Sequence, residues 1–178
     1  MITRWFHANL VVSDLDRSVR FYEDLGFSKV RESEVTNPQV WAKIGLRPGR
    51  MRYAIMQLAA ELNLPRRDTA GGFSSPVLDI CQPVDPPPVG APPEALNHLG
   101  IGRLSFEVPD IDAAYRMLEK KGVPFLGPIA TMTLEFGTIY MFCFKDPDGI
   151  VIELGGRRYQ DNTCAAQAPV RASKTPNL

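Results

Sequence analysis

The strongest constraint on this 178-residue chain is that one short design occurs in it twice. Laid over each other without gaps, His7 to Phe27 (HANLVVSDLDRSVRFYEDLGF) and Arg103 to Val123 (RLSFEVPDIDAAYRMLEKKGV) share Val12/Val108, Asp14/Asp110, Asp16/Asp112, Arg20/Arg116, Glu23/Glu119 and Gly26/Gly122. Self-similarity at a fixed offset signals two copies of one supersecondary unit.

Each copy opens with alternation. Phe6, Ala8, Leu10 and Val12 share one face of a first strand, which leaves His7, Asn9 and Val11 on the other. A helix follows, with Ser13 and Asp16 spaced as a capping box, Leu15, Val19, Tyr22 and Leu25 as its apolar stripe, and Gly26 as its stop. In the second copy Asp110 is the expected N-cap, Ile111, Ala114, Tyr115 and Leu118 form the stripe, and Gly122 is the stop. Strand-like runs come next: SKVRESEV, MRYAIMQL and ELNLPRR in the first copy, then VPFLGP, TIYMFCFK and GIVIELGG in the second. The last two are joined by DPDG, a tight-turn signal.

Each copy therefore reads βαβββ, and the fold class is α+β: two tandem modules whose mixed sheets form an open, cupped cleft with helices outside. Residues 1–68 are expected as the first module, 69–100 as a linker rich in proline around PVDPPPVGAPP, 101–156 as the second module, and 157–178 as an irregular tail.

Composition narrows the function. The formal net charge is zero and no basic run occurs, so the electrostatic footprint of a nucleic-acid binder is missing. No apolar stretch approaches the ~18 residues of a membrane span, and Arg4, His7 and Asn9 interrupt any signal-peptide core, so a soluble, cytoplasmic protein is expected. Cys81, Cys143 and Cys164 are widely spaced and form no CxxC pair, which argues against a disulfide framework or zinc knot.

The phase of the polar residues points to a site. If helices cover the apolar faces, the opposite face presents His7 and Asn9, Glu61 and Asn63, Arg103, Ser105 and Glu107, and Glu153, while Leu62, Leu64, Ile152 and Leu154 keep the helix side. A sheet with one covered face and a polar-studded opposite face is a candidate pocket wall.

The paired βαβββ units, the helices VVSDLDRSVRFYEDLGF and EVPDIDAAYRMLEKKGV and the hairpin FKDPDGIVIEL resemble the vicinal oxygen chelate superfamily, the glyoxalase, bleomycin-resistance and extradiol-dioxygenase group, over roughly residues 4–156. The resemblance implies a divalent metal ion held on the concave face by residues of the first and last strands, with no organic cofactor indicated. It maps the ligands onto His7, Glu61 and Glu153, with Asn63 as the alternative register for Glu61. Many metal-binding relatives carry a histidine in the opening strand of the second copy; this chain carries Arg103. A guanidinium has no lone pair to give and repels a cation, but it can pair with a carboxylate.

The catalytic candidates are His7, Arg103 and Glu153. His7 would act as ligand or acid/base; Glu153 would ligate metal or pair with Arg103, which is then either structural or the group that holds a ligand oxygen. Asn9, Asn63, Ser105 and Trp41 are the substrate-binding candidates, although Trp41 fits burial of a short helix equally well. Tyr140, Phe142 and Phe144 are read as core, and Arg66–Arg67 and Arg157–Arg158 as solvated flanks.

The implied function is a glyoxalase-like enzyme, an isomerase, lyase or ring-modifying enzyme, acting on a small oxygen-bearing molecule through an enolate or oxyanion. The alternative is a metal-free binding or resistance protein of the same fold. Iron-dependent extradiol cleavage fits less well, because the two-histidine, one-carboxylate set is incomplete. The resemblance also implies a homodimer and a small-molecule ligand, while charge and composition argue against nucleic-acid and membrane partners.

Overall fold

The computed structural model describes residues 2, 5–65, 73, 75–135 and 137–158. They belong to two compact units, one of Met1–His98 with Asp146–Ile150, the other of Leu99–Lys145 with Val151–Leu178. Cys164, Arg66, Arg67 and the tail from Tyr159 lie outside the described residues. No helix among the described residues is long and apolar enough to cross a membrane.

The first unit runs β1 (His7–Val11), α1 (Leu15–Asp24), β2 (Phe27–Val35), a short α2 (Pro38–Lys43), β3 (Arg50–Leu58), a 3-10 turn (Ala59–Glu61) and β4 (Val77–Asp85). Its sheet has the order β1-β4-β3-β2, with β1 parallel to β4 and the other neighbours antiparallel. The second unit runs β5 (Leu104–Val108), α3 (Ile111–Lys120), β6 (Ala130–Leu134), β7 (Gly137–Lys145) and β8 (Val151–Gly156). Its order, β5-β8-β7-β6, repeats the arrangement, again with one parallel pair. The repeated sequence design is thus a repeated topology.

The helices form for the reasons visible in the sequence. On α1 the stripe Leu15, Val19 and Tyr22 is buried against the sheet, and on α3 Ile111 and Leu118 are; each such side chain contributes about 1.5–3 kcal/mol. Asp110 caps α3 as expected, accepting the Ala113 N–H at 3.0 Å. On α1 the cap is one residue later than the Ser13 expectation: Asp14 accepts the Arg17 N–H at 2.9 Å, and Ser13 is freed to donate its own N–H to Asp148. Gly26 and Gly122 follow the two helices with φ of 96° and 72°, conformations that cost a glycine least.

Two strand assignments are corrected. The described part of ELNLPRR, residues 61–65, is not a strand: after β3 the chain enters the 3-10 turn, and Leu62 and Leu64 are exposed rather than packed under a helix. The strand that completes the first sheet is β4, within the stretch expected as linker. It is central, and residues on both of its faces are buried (Val77, Leu78, Ile80 and Cys81), so apart from Asp79 it shows little of the apolar–polar alternation of an exposed strand. Its Pro83 is tolerated because the pairing with β1 ends opposite Cys81.

In the second unit VPFLGP contributes only an isolated bridge between Phe125 and Phe144, since Pro124, Gly127 and Pro128 interrupt it. The strand is ATMTL, β6. Arg158 is no solvated flank either: its guanidinium stacks on Tyr140 at 4.6 Å and its Nε lies 3.2 Å from Asp112. Phe142 and Phe144 are core as expected, packed with Phe125 and Tyr115.

The DPDG turn belongs to the first unit. Asp146 is buried; it accepts the N–H groups of Asp148 and Ile150, at 2.9 and 2.8 Å, and the phenol of Tyr22 at 3.0 Å. Asp148 accepts from Ser13 N, Arg17 Nη2 and Ser18 Oγ, all on or beside α1. Gly149, with φ of 92°, lets the chain turn this tightly.

Candidate functional site

Strand register places a polar cluster on the same rungs of each sheet. In the second unit Ser105 of β5 is paired with Glu153 of β8, and Glu153 with Cys143 of β7. All three side chains stand on the face opposite α3, because Leu104, Phe106, Ile152 and Leu154 take the other. Ser105 Oγ donates to Glu153 Oε1 at 2.8 Å, Cys143 Sγ lies 3.8 Å from Oε2, and Arg103 Nε lies 2.8 Å from Oε2.

Exposure differs across this cluster. The Glu153 side chain is 13% exposed and that of Arg103 46%. A carboxylate so far out of water is costly without compensation, and here a cation and a hydroxyl supply it. Cys143 is pushed up in pKa by burial and by the Glu153 charge, so its thiol stays protonated and faces the carboxylate as a donor.

In the first unit the same rung pairs Asn9 of β1 with Asp79 of β4. Asn9 Nδ2 donates to Asp79 Oδ2 at 3.1 Å, to the Asp79 carbonyl at 3.2 Å and to Cys81 Sγ at 3.1 Å. Cys81 Sγ is 3.5 Å from Asp79 Oδ1. Burial first, and then the charge of Asp79, push the Cys81 thiol up to about 12. His7 precedes Asn9 on this face, is exposed, and meets Phe6 edge-on with ring centroids 4.8 Å apart.

The expected residues are therefore placed as follows. Arg103, Ser105 and Glu153 come together in the second unit, and His7 and Asn9 share a face in the first. Glu61 and Asn63 are corrected: Glu61 ends the 3-10 turn and Asn63 lies in the exposed turn after it, neither on a strand. Asp79, which sequence reasoning missed, holds the place intended for Glu61. The signal was present, since VLDI (77–80) matches VIEL (151–154) around the acidic residue, but the flanking prolines disguised it. Trp41 is fully buried on α2, and its indole Nε1 meets no hydrogen-bond partner among the described residues.

The divalent metal implied by the resemblance does not fit these donors. Among the described residues no three His, Cys, Asp or Glu side chains are grouped as ligands. Both oxygens of Glu153 are engaged by Ser105 and Arg103, and a guanidinium stands where an imidazole would be needed.

The chain belongs to the Glyoxalase/Bleomycin resistance protein/Dioxygenase superfamily, whose family model matches residues 4–154. A glyoxalase family protein from Bacillus cereus has the same fold, with a TM-score of 0.71 and 22% identity over 89% of this chain and 96% of that one. A mutant of glyoxalase I from Zea mays superposes with a TM-score of 0.58 at 18% identity, over 87% of this chain and 46% of that one. FosX, a genomically encoded fosfomycin resistance protein from Listeria monocytogenes, gives 0.52 at 14% identity, over 89% and 97%. No curated protein matches the chain significantly.

Proposed function

We propose that the chain binds a small, oxygen-bearing organic molecule on the β5–β8–β7 face of its second unit, and does so without a metal. The observation that carries this reading is the ion pair of Arg103 with Glu153 at 2.8 Å, which puts a fixed positive group where a metal-dependent relative needs a ligand. A guanidinium held in place can stabilise a developing oxyanion, the electrostatic part of what a Lewis-acidic metal supplies. As an enzyme, the protein would be an isomerase, lyase or ring-modifying enzyme working through such an oxyanion.

One observation favours a second reading, a binding or sequestering protein. Glu153 already accepts from its neighbours at both oxygens, and Cys143 is held protonated, so neither member of this rung is a free base or nucleophile.

Thermal-shift screening of small organic molecules with EDTA present throughout tests metal independence. Stabilising compounds are expected in EDTA, and the shift should be absent in Arg103→Ala. Compounds that stabilise the protein only after a divalent metal is added would overturn the reading. A product formed by wild type and not by Arg103→Ala would decide for the enzyme.

A further inference from the structure

We propose that Arg103 is a preset receptor for an oxyanion, a carboxylate or phosphonate borne by the small molecule, and that Glu153 is the positioning residue that aims it. This rests on the reading that the second unit's polar face takes such a molecule, and it names the class.

The first argument is the division of labour within the pair. Glu153 is fixed from both sides, by Ser105 at Oε1 and by Arg103 at Oε2, with the Cys143 thiol beyond. A carboxylate is acceptor-only, and one so engaged makes an anchor rather than a ligand-binding group. Arg103 is the reverse. Its closest contact with Glu153 is through Nε, its side chain is 46% exposed, and its guanidinium carries two further, terminal nitrogens. Those nitrogens are the edge that matches a planar or tetrahedral oxyanion with two parallel hydrogen bonds.

The second argument is the charge around the pair. Register puts Lys145 of β7 opposite Val151, two pairs from the Cys143–Glu153 rung and so on the same face. Arg103, just before β5, and Lys145 therefore lie on the same side of the Glu153 rung, two positive charges beside one negative. Glu107 also stands on this face, but opposite Gly155, four residues along the strand from Arg103 and so about 13 Å away. The end of the face where Arg103 is exposed carries the positive surplus, which attracts an anion and disfavours a cation.

The test is ligand-observed NMR on the full chain with matched fragment pairs: carboxylates with their carboxamides, and phosphonates with their dimethyl esters. Anionic members are expected to bind, with affinity roughly tenfold or more above their neutral partners, as charge-assisted hydrogen bonds lead one to expect. Which anionic series dominates distinguishes carboxylate from phosphonate. The preference should vanish in the double variant R103Q/E153Q, which replaces the ion pair by two amides and leaves no unpaired charge. Arg103→Lys should keep part of it, since the charge remains and the fork does not. Glu153→Gln should weaken anions several-fold while leaving the neutral members and Tm unmoved, which a purely structural glutamate would not do. Neutral members that bind as well as anions, or anions that bind R103Q/E153Q as they bind wild type, overturn the inference and leave small-molecule binding standing. No binding by any member contradicts both.

Discussion

Arg103 and His7 stand at the same place in the repeat, yet they shape their surroundings differently. The guanidinium reaches the carboxylate of its own sheet, while Asp79, the corresponding carboxylate of the first unit, is engaged by the amide of Asn9 and the thiol of Cys81. Both described thiols are held in the protonated form by burial and a neighbouring carboxylate. Cys81, pushed up to about 12 from an ordinary value near 9, favours the fold while it stays protonated. That contribution is complete below the unfolded thiol's pKa and is lost as pH rises through the folded value, so stability should fall between about pH 9 and 12. Urea titrations of wild type and Cys81→Ala should therefore diverge less as pH rises through that window, and a difference that stays constant would contradict the assignment. At this scale the sequence was informative where a side chain stands on or at the start of a regular strand, as Ser105 and Glu153 do on β5 and β8 and Arg103 does just before β5. It was not for Asp79, whose strand is flanked by prolines, nor for Cys143 and Cys81, whose role depends on the carboxylate across the rung.

Among the elements, the helices were the most legible, because a capped 3.6-residue stripe repeats in both copies and depends little on distant contacts. The error in placing the α1 cap has a tertiary cause: Asp148, far along the chain, takes the Ser13 N–H. Central β4 was illegible for a related reason, since burial on both faces removes the alternation by which an exposed strand is recognised. The DPDG turn read correctly as a turn, but nothing local shows that it docks on α1. Tyr22 carries much of that docking: it is fully buried, and burial together with the Asp146 charge raises its pKa, so it remains a donor at any ordinary pH. Tyr22→Phe should keep the packing and lose the bond, leaving a buried carboxylate one donor short, at a cost of about 1–3 kcal/mol. Chemical denaturation measures this; an unchanged midpoint would show that the phenol–carboxylate bond contributes nothing.

At the level of the whole molecule, two sheets of one topology arose from two copies of one sequence design, and the family followed from that repetition. What the fold does not specify is the chemistry, because one scaffold can host different reactions through a few strand positions. In this chain those positions hold an arginine against a glutamate, with a serine completing the carboxylate's partners. The central claim is that this ion pair stands in place of a metal ion. Elemental analysis of protein incubated with excess zinc, manganese or nickel and then desalted tests it most directly. Metal well below one ion per chain is predicted, unchanged in Glu153→Gln; about one ion per chain in wild type, lost in Glu153→Gln, would contradict the account.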